Sequence, residues 1–125
     1  MVYVDEGIEE LQKGGIRGNS FMTPTAYFFA GSDNTFTGSE IYSDIKNEFI
    51  RKDITWTKSG KNSMYTVQLS PVDATGSNIE AQGLITETGA TSNVLFTTDE
   101  SDIGLKSEAY AMTIEGEIII RRPII

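Results

Sequence analysis

The hydrophobic positions of this 125-residue chain change their spacing once, from a helical repeat to an alternating one. Near the start, Val4, Ile8 and Leu11 follow the i, i+4, i+7 spacing of an amphipathic helix. Acidic residues in the first turn, such as Asp5 and Glu6, are stabilised by the positive N-terminal end of the helix dipole. Gly14-Gly15 then ends the helix, as glycine commonly does at a helix C-terminus. Gly7 costs the helix up to about 1 kcal/mol relative to Ala. The pattern predicts one α-helix over residues 5–14, supported by packing its apolar stripe on the rest of the fold.

After the helix, β-branched and aromatic residues alternate with polar ones, which is typical of half-buried strands. Residues 50–58 and 63–69 flank a Ser-Gly-Lys-Asn turn and predict a hairpin, and residues 110–120 predict a final strand. Further strands are predicted over residues 25–30, 79–86 and 93–98. Short turns between successive strands indicate an antiparallel β-sandwich or flattened barrel with one N-terminal helix, in a single domain over residues 1–125.

Three local features leave the pattern less regular. Within residues 36–48, Ile41 and Ile45 would suit a short helix, whereas the Thr, Ser and Gly residues suit a loop or an edge strand equally well. Gly83 lies inside a predicted strand and is a candidate bulge position. The acidic residues 99–102 are predicted to form a loop between two strands.

The apolar faces of the clearest strands predict the hydrophobic core. Seven residues on these faces are expected to be largely buried: Ile54, Trp56, Val67, Leu69, Met112, Ile114 and Ile118. Trp56 is the only Trp, and its place on an apolar face favours a core or interface position over a ligand platform.

The chain contains no His and no Cys. The commonest general base, the commonest metal ligand and the thiolate nucleophile are therefore missing together. Asp99, Glu100 and Asp102 offer oxygen ligands but lack the spacing of a calcium loop, so a solvated loop is favoured, and the same holds for Asp33-Asn34. No Ser-x-x-Lys, Gly-x-Ser-x-Gly or phosphate-loop motif occurs. We expect a non-enzymatic protein with no catalytic residue, metal or cofactor.

The charge of the chain excludes two classes of partner. Its 18 acidic and 10 basic residues give a net charge of -8, which repels nucleic acid and anionic membrane surfaces. The N-terminal residues are acidic where a signal peptide would be basic, and no apolar run is long enough to span a bilayer. We expect a soluble protein that is made in the cytoplasm.

The order of these motifs resembles small structural proteins of tailed phages. The resemblance lies in the glycine-ended helix at 7–15, the Tyr-Phe-Phe-Ala-Gly strand at 27–31, Thr-Gly-Ser-Glu at 37–40, the hairpin at 50–69 and the strand at 79–85. It implies a structural subunit of a virion tail, fibre, collar or capsid surface, located in the virion. Its partners would be other copies of itself, as a homo-oligomer, and other virion proteins.

An Arg-Arg pair near the end of an otherwise acidic chain is either an exposed strand end or a patch that pairs with the acidic helix of a neighbouring copy. The second alternative predicts these interface residues: Asp5, Glu6, Glu9, Arg121, Arg122, Pro123, Ile124 and Ile125. If self-assembly is wrong, the alternative is a monomeric β-sandwich that binds carbohydrate or protein in a concave pocket.

Overall fold

The computed structural model describes residues 2–15, 17–18, 22–60, 62–86, 93–107 and 111–118. Its elements are β1 (Val2–Tyr3), α1 (Asp5–Gly15), β2 (Ala26–Ala30), a 3₁₀ helix (Tyr42–Asp44), β3 (Glu48–Asp53), β4 (Thr55–Ser59), β5 (Asn62–Leu69), β6 (Asn78–Ile85), β7 (Thr97–Leu105) and β8 (Met112–Ile118). Strands account for 48% of the residues and helices for 13%, so the prediction of a mainly-β fold with one N-terminal helix is confirmed.

The strands form two antiparallel sheets that pack as a sandwich. The larger sheet has the order β1-β7-β6-β2-β3 and the smaller one the order β4-β5-β8. The two sheets do not close into a barrel, so the sandwich is the correct one of the two predicted architectures.

The prediction of one continuous strand over residues 50–58 is wrong, because the chain changes sheet at Ile54. β3 pairs with β2 in the larger sheet, whereas β4 pairs with β5 in the smaller one. Just beyond the last β2–β3 pair, the backbone N–H of Ile54 donates to the carbonyl of Thr25 at 2.9 Å. Alternation of apolar and polar residues continues through the crossover, so the sequence pattern carries no mark of it.

The prediction of a loop at residues 99–102 is also wrong, since these residues lie in the middle of β7. Asp99 is opposite Gln82 and Glu100 is opposite Ala81 in the antiparallel pairing with β6. Sheet hydrogen bonds come from the backbone, so an acidic run can form a strand wherever its carboxylates reach solvent. The predicted strand at 93–98 contributes only its last two residues to β7, preceded by an isolated bridge at Leu95.

Residues 36–47 form a long connection that contains a short 3₁₀ helix, so both predicted alternatives, a short helix and a loop, hold in part, and Glu48 begins β3. The buried carboxylate of Glu40 accepts backbone N–H groups from Thr37 and from Gly38, the latter at 2.9 Å. Burial alone would raise the pKa of Glu40, but these N–H donors outweigh it and hold the pKa below its usual value. Phe36, Tyr42 and Ile45 then cover one face of the larger sheet.

The core has two layers, one on each face of the larger sheet. Because β2 lies between these layers, it is buried along its whole length. A continuous apolar run of this kind is typical of a strand that is covered on both faces. The cluster between the sheets contains Tyr27, Phe29, Tyr65, Val67, Leu69, Ile79, Leu84, Val94 and Phe96. The cluster on the other face contains Val4, Ala26, Phe28, Ala30, Ala81, Ile85 and Leu95.

The predicted core is confirmed at Val67 and Leu69, both of which are fully buried. The other five residues are partly buried and pack against the margin of the first cluster, so they belong to the edge of the core and not to its centre: Ile54, Trp56, Met112, Ile114 and Ile118. Ile54 lies in the crossover and the others lie on β4 and β8, the outer strands of the smaller sheet, where a neighbouring strand covers only one side.

Candidate interaction surfaces

Helix α1 begins at the predicted Asp5 and ends at Gly15, and its predicted apolar stripe is only partly covered by the rest of the fold. Val4 is buried, whereas Ile8 and Leu11 remain 38% and 37% exposed. The contact with the sheet is made instead at Gly7, where an added Cβ would lie only 2.5 Å from the Cα of Phe96. The helix therefore packs on a glycine, and Ile8 and Leu11 form what we term its apolar flank.

The opposite flank of α1 is charged and is held by the chain itself. The Tyr42 N–H donates to Glu6 Oε2 at 3.3 Å, and the Met22 N–H donates to Glu10 Oε2 at 2.9 Å. Lys13 Nζ pairs with Glu10 Oε1 at 3.0 Å. Burial raises the pKa of Glu6, while the Met22 N–H lowers the pKa of Glu10. These contacts restrain the rotation of the helix, in which more than a third of each side chain of the apolar flank stays exposed.

The structure describes three of the eight predicted interface residues, Asp5, Glu6 and Glu9. Asp5 and Glu9 are exposed and therefore accessible, whereas Glu6 is engaged by the backbone of its own chain. The remaining five lie outside the described residues: Arg121, Arg122, Pro123, Ile124 and Ile125. Their contact with the helix of a neighbouring copy stays a prediction.

A second surface is a groove at the end of the larger sheet where β2 and β7 finish and β6 begins. Two adjoining cavities of about 320 and 460 Å³ share Asp33 and Glu80, and the first is also lined by Glu100. We term this surface the acidic groove and define it by Asp33, Phe49, Glu80 and Glu100. The three carboxylates make no hydrogen bond or ion pair with another described residue.

The rim of the acidic groove is held by side-chain amides. Asn34 Nδ2 donates to the carbonyls of Gly31 at 3.0 Å and Lys46 at 2.9 Å, and Asn47 Nδ2 donates to Ser32 at 3.0 Å. Asn47 has a φ of 57°, a left-handed conformation that Asn tolerates better than most residues. The groove is therefore preorganised by contacts that do not involve its carboxylates.

Apolar side chains border the carboxylates. Phe49 lines the larger cavity and is 42% exposed. Leu105 is 64% exposed and lies opposite Asn78, a residue that also lines this cavity. An acidic groove with an exposed ring and an exposed aliphatic side chain fits a partner that is both basic and apolar.

Sequence reasoning did not predict the acidic groove. Its carboxylates come from positions 33, 80 and 100, and only the pairing of β6 with β7 brings the last two together. Asp33 lies in a Gly-Ser-Asp-Asn stretch whose composition indicates a turn, but no local feature links this turn to the two strands. Within the described residues, no group of acidic side chains is arranged to hold a metal ion. Nor does this part of the chain contain a helix of the length and apolarity needed to cross a membrane.

Comparison with known proteins finds no match to a protein family, a curated protein or a solved structure. The resemblance to phage virion proteins therefore stays a prediction from the motifs. The apolar flank of α1 and the acidic groove are the two described surfaces on which a partner could bind.

Proposed function

We propose that the chain is a non-enzymatic structural subunit of a bacteriophage virion, in a tail, fibre, collar or capsid surface. It acts by assembling with other copies of itself and with other virion proteins. The observation that carries the assembly proposal is the outward apolar flank of α1, Ile8 and Leu11. The assignment to a virion rests on the motif order in the sequence.

An amphipathic helix lowers the free energy by burying its apolar side, and α1 does so incompletely, since more than a third of Ile8 and of Leu11 is exposed. Here Glu6 and Glu10 satisfy backbone N–H groups of the same chain, so rotating the apolar flank inward would break those bonds. A neighbouring copy can cover the flank without that loss. Because full burial of a Leu or Ile contributes about 1.5–3 kcal/mol, covering the exposed third contributes about 0.5–1 kcal/mol for each residue. The flank alone therefore supports a weak contact that repeats in a multimer.

The test removes the apolar flank and measures the oligomeric state. We expect the wild-type chain to self-associate in sedimentation velocity and light scattering, and Ile8→Ser/Leu11→Ser to dissociate while its thermal unfolding midpoint changes little. The matched control is Ile41→Ser/Val72→Ser, which removes two exposed aliphatic side chains elsewhere and should leave association unchanged. A wild-type chain that is monomeric at high micromolar concentration would overturn the proposal.

One observation favours a second function, a monomeric carbohydrate- or protein-binding module. The larger cavity of the acidic groove combines the Phe49 ring with the polar side chains of Asp33, Asn47 and Asn78, the mixture common in ligand sites. A monomeric wild-type chain that binds a glycan or peptide in screening, with binding lost in Phe49→Ala, would replace assembly with this function.

A further inference from the structure

We propose that residues 36–47 form an acid-released strap, which detaches from helix α1 and from the larger sheet when Glu40 is protonated, while the sandwich stays folded. In its closed form the strap covers one face of the larger sheet with the side chains of Phe36, Tyr42 and Ile45. Opening exposes this apolar face under acid conditions only. The inference goes beyond the proposed function and does not depend on self-assembly.

The strap lies outside the strands, so it can open separately from them. No residue from 36 to 47 belongs to a strand of either sheet. Seven of its residues are exposed: Thr37, Ser39, Ile41, Ser43, Asp44, Lys46 and Asn47. Segments with few buried apolar contacts and many exposed backbone hydrogen bonds open at a lower free energy than core strands do. The strap is such a segment, whereas β2 beneath it is fully buried.

The carboxylate of Glu40 holds the first turn of the strap in shape. It is 7% exposed and accepts the backbone N–H groups of Thr37 and of Gly38, the latter at 2.9 Å. Hydrogen bonds to a charged acceptor are roughly twice as strong as those between neutral groups. Gly38 has a φ of 96°, a left-handed conformation that glycine adopts readily. Neutralising Glu40 therefore weakens the contacts that keep the backbone in this turn.

The same turn docks the strap on helix α1. The carbonyl of Gly38 accepts the backbone N–H of Asp5 at 2.9 Å, at the start of the helix, where N–H groups have no partner within the helix. Further along the strap, the Tyr42 N–H donates to Glu6 Oε2 at 3.3 Å. The contact at Asp5 depends directly on the turn that Glu40 holds, so loss of the turn loosens the strap from the helix.

Glu40 sets the pH at which the strap opens. Burial by itself raises the pKa of Glu40, but the N–H groups of Thr37 and Gly38 outweigh it and hold this pKa below its ordinary value. The stabilisation is therefore fully present above the unfolded pKa. It is lost as the pH falls through the lowered folded pKa, below about pH 4.

The other charged groups around the strap are not the trigger. Burial raises the pKa of Glu6, and the charges of Glu10 and Asp44 add to this effect. A proton on Glu6 relieves the cost of burying its charge, so it does not favour release. Arg51 lies over an aromatic ring of the strap at 5.1 Å and Lys46 is exposed, and both stay charged throughout the acid range.

A neutral variant tests the strap at pH 7, where the rest of the chain keeps its charge. Glu40→Gln keeps the shape of the side chain and imitates the protonated carboxyl group. We expect the backbone amides of residues 37–46 to exchange at least about ten-fold faster than in wild type, as measured by hydrogen exchange with mass spectrometry. The amides of β2 and β6 should still exchange much more slowly than those of the strap, because they require unfolding of the sandwich.

The matched control removes the same kind of bond from another loop. Asp73 Oδ2 accepts the backbone N–H of Ser70 at 2.8 Å between β5 and β6, and Asp73→Asn should leave strap exchange within about two-fold of wild type. Gly38→Ala is a second strap variant, because it strains the same turn and leaves Glu40 charged. It should also speed strap exchange, and it replaces Glu40→Gln if that variant does not fold.

Acid titration of the wild-type chain tests the trigger itself. We expect a neutral apolar dye to bind as the pH falls from 7 to about 3.5, because the strap then exposes the face it covers. Trp56 reports on the sandwich, since its indole N–H donates to the carbonyl of Pro24 at 2.8 Å and its ring packs against the cluster between the sheets. Its fluorescence should stay unchanged while the dye binds, and Glu40→Gln should bind the dye already at pH 7.

Three results would overturn the inference. Strap amides that exchange in step with those of β2, in wild type and in both strap variants, show that the strap opens only with the sandwich. Equal acceleration of strap exchange in Asp73→Asn shows a general effect of lost charge. Dye binding that coincides with a change in Trp56 fluorescence shows acid unfolding of the sandwich instead of release of the strap.

Discussion

At the scale of single residues, Lys106 is the side chain that holds the groove end of the sandwich together. It is 0% exposed, and its ammonium donates to the carbonyls of Ser70, Pro71 and Ser107 at 3.1, 3.1 and 3.0 Å. Burying an ammonium is costly unless its donors are satisfied, and here three carbonyls accept them. The amine thereby ties the end of β7 to the loop that leads into β6.

We expect Lys106→Met to lower the free energy of unfolding by about 1–3 kcal/mol, because it leaves the carbonyls of this cage without their donor. The measurement is chemical denaturation. Lys52→Met is the matched control, since Lys52 loses only a partly exposed ion pair with Asp73, worth about 0–1 kcal/mol. Equal losses in both variants would contradict a special role for the buried amine.

The buried carboxylate of Glu40 makes stability depend on pH. The N–H donors hold the pKa of Glu40 in the folded chain below its ordinary value, so the unfolded state binds more protons near that pH. The stabilisation is therefore fully present above the unfolded pKa and is lost as the pH falls through the lowered folded pKa. We expect Glu40→Gln to be about 1–3 kcal/mol less stable than wild type at pH 7. The difference should shrink below about pH 4, which denaturation at several pH values measures; a difference independent of pH would contradict this account.

At the scale of elements, Gly7 reverses an expectation drawn from helix propensity. Sequence alone predicts that Gly7→Ala stabilises α1 by up to about 1 kcal/mol. In the structure the new Cβ would lie 2.5 Å from the Cα of Phe96 and 2.9 Å from the carbonyl oxygen of Leu95. Backbone atoms cannot rotate away as a side chain can, so the helix must move off the sheet.

We therefore expect Gly7→Ala to destabilise the chain by about 1–3 kcal/mol, the usual cost of overpacking. Gln12→Ala is the control, because Gln12 is an exposed position on the same helix and its substitution should change stability by less than about 0.5 kcal/mol. A Gly7→Ala chain that unfolds at a higher temperature than wild type would show that propensity outweighs the contact.

Helix α1 and the crossover at Ile54 show which structural features local sequence patterns can predict and which they cannot. Helix α1 was predicted over 5–14 and extends over Asp5–Gly15, because capping residues and a closing Gly-Gly pair are local signals. Its rotation depends on Phe96 and on Tyr42, which are distant in sequence, so it could not be predicted. The same limit applies to Ile54, where pairing with β2 on one side and β5 on the other decides the crossover.

At the scale of the whole molecule, the proposed contact and the charge of the chain act in opposite directions. The flank of α1 offers apolar area, whereas a net charge of -8 makes copies of the chain repel one another. Salt screens this repulsion, since the Debye length falls from about 10 Å at 0.1 M to about 3 Å at 1 M. It does not weaken the burial of apolar surface.

Salt should therefore not weaken association through the flank. We expect the self-association of the wild-type chain to stay constant or rise between 0.1 and about 1 M NaCl. Sedimentation equilibrium across this range measures it, and an association that weakens several-fold as salt rises would contradict an apolar contact.

The sequence by itself determined the class of fold and the limits of each regular element that has a local signal. Spacing and turn residues predicted α1, the β4–β5 hairpin and an antiparallel sandwich, because these features depend on neighbours within a few positions. Only the tertiary structure decided that the acidic residues 99–102 form the middle of β7 and that Asp33, Glu80 and Glu100 meet in one groove. Strand register joins residues that are tens of positions apart, and no local periodicity records which strands will pair.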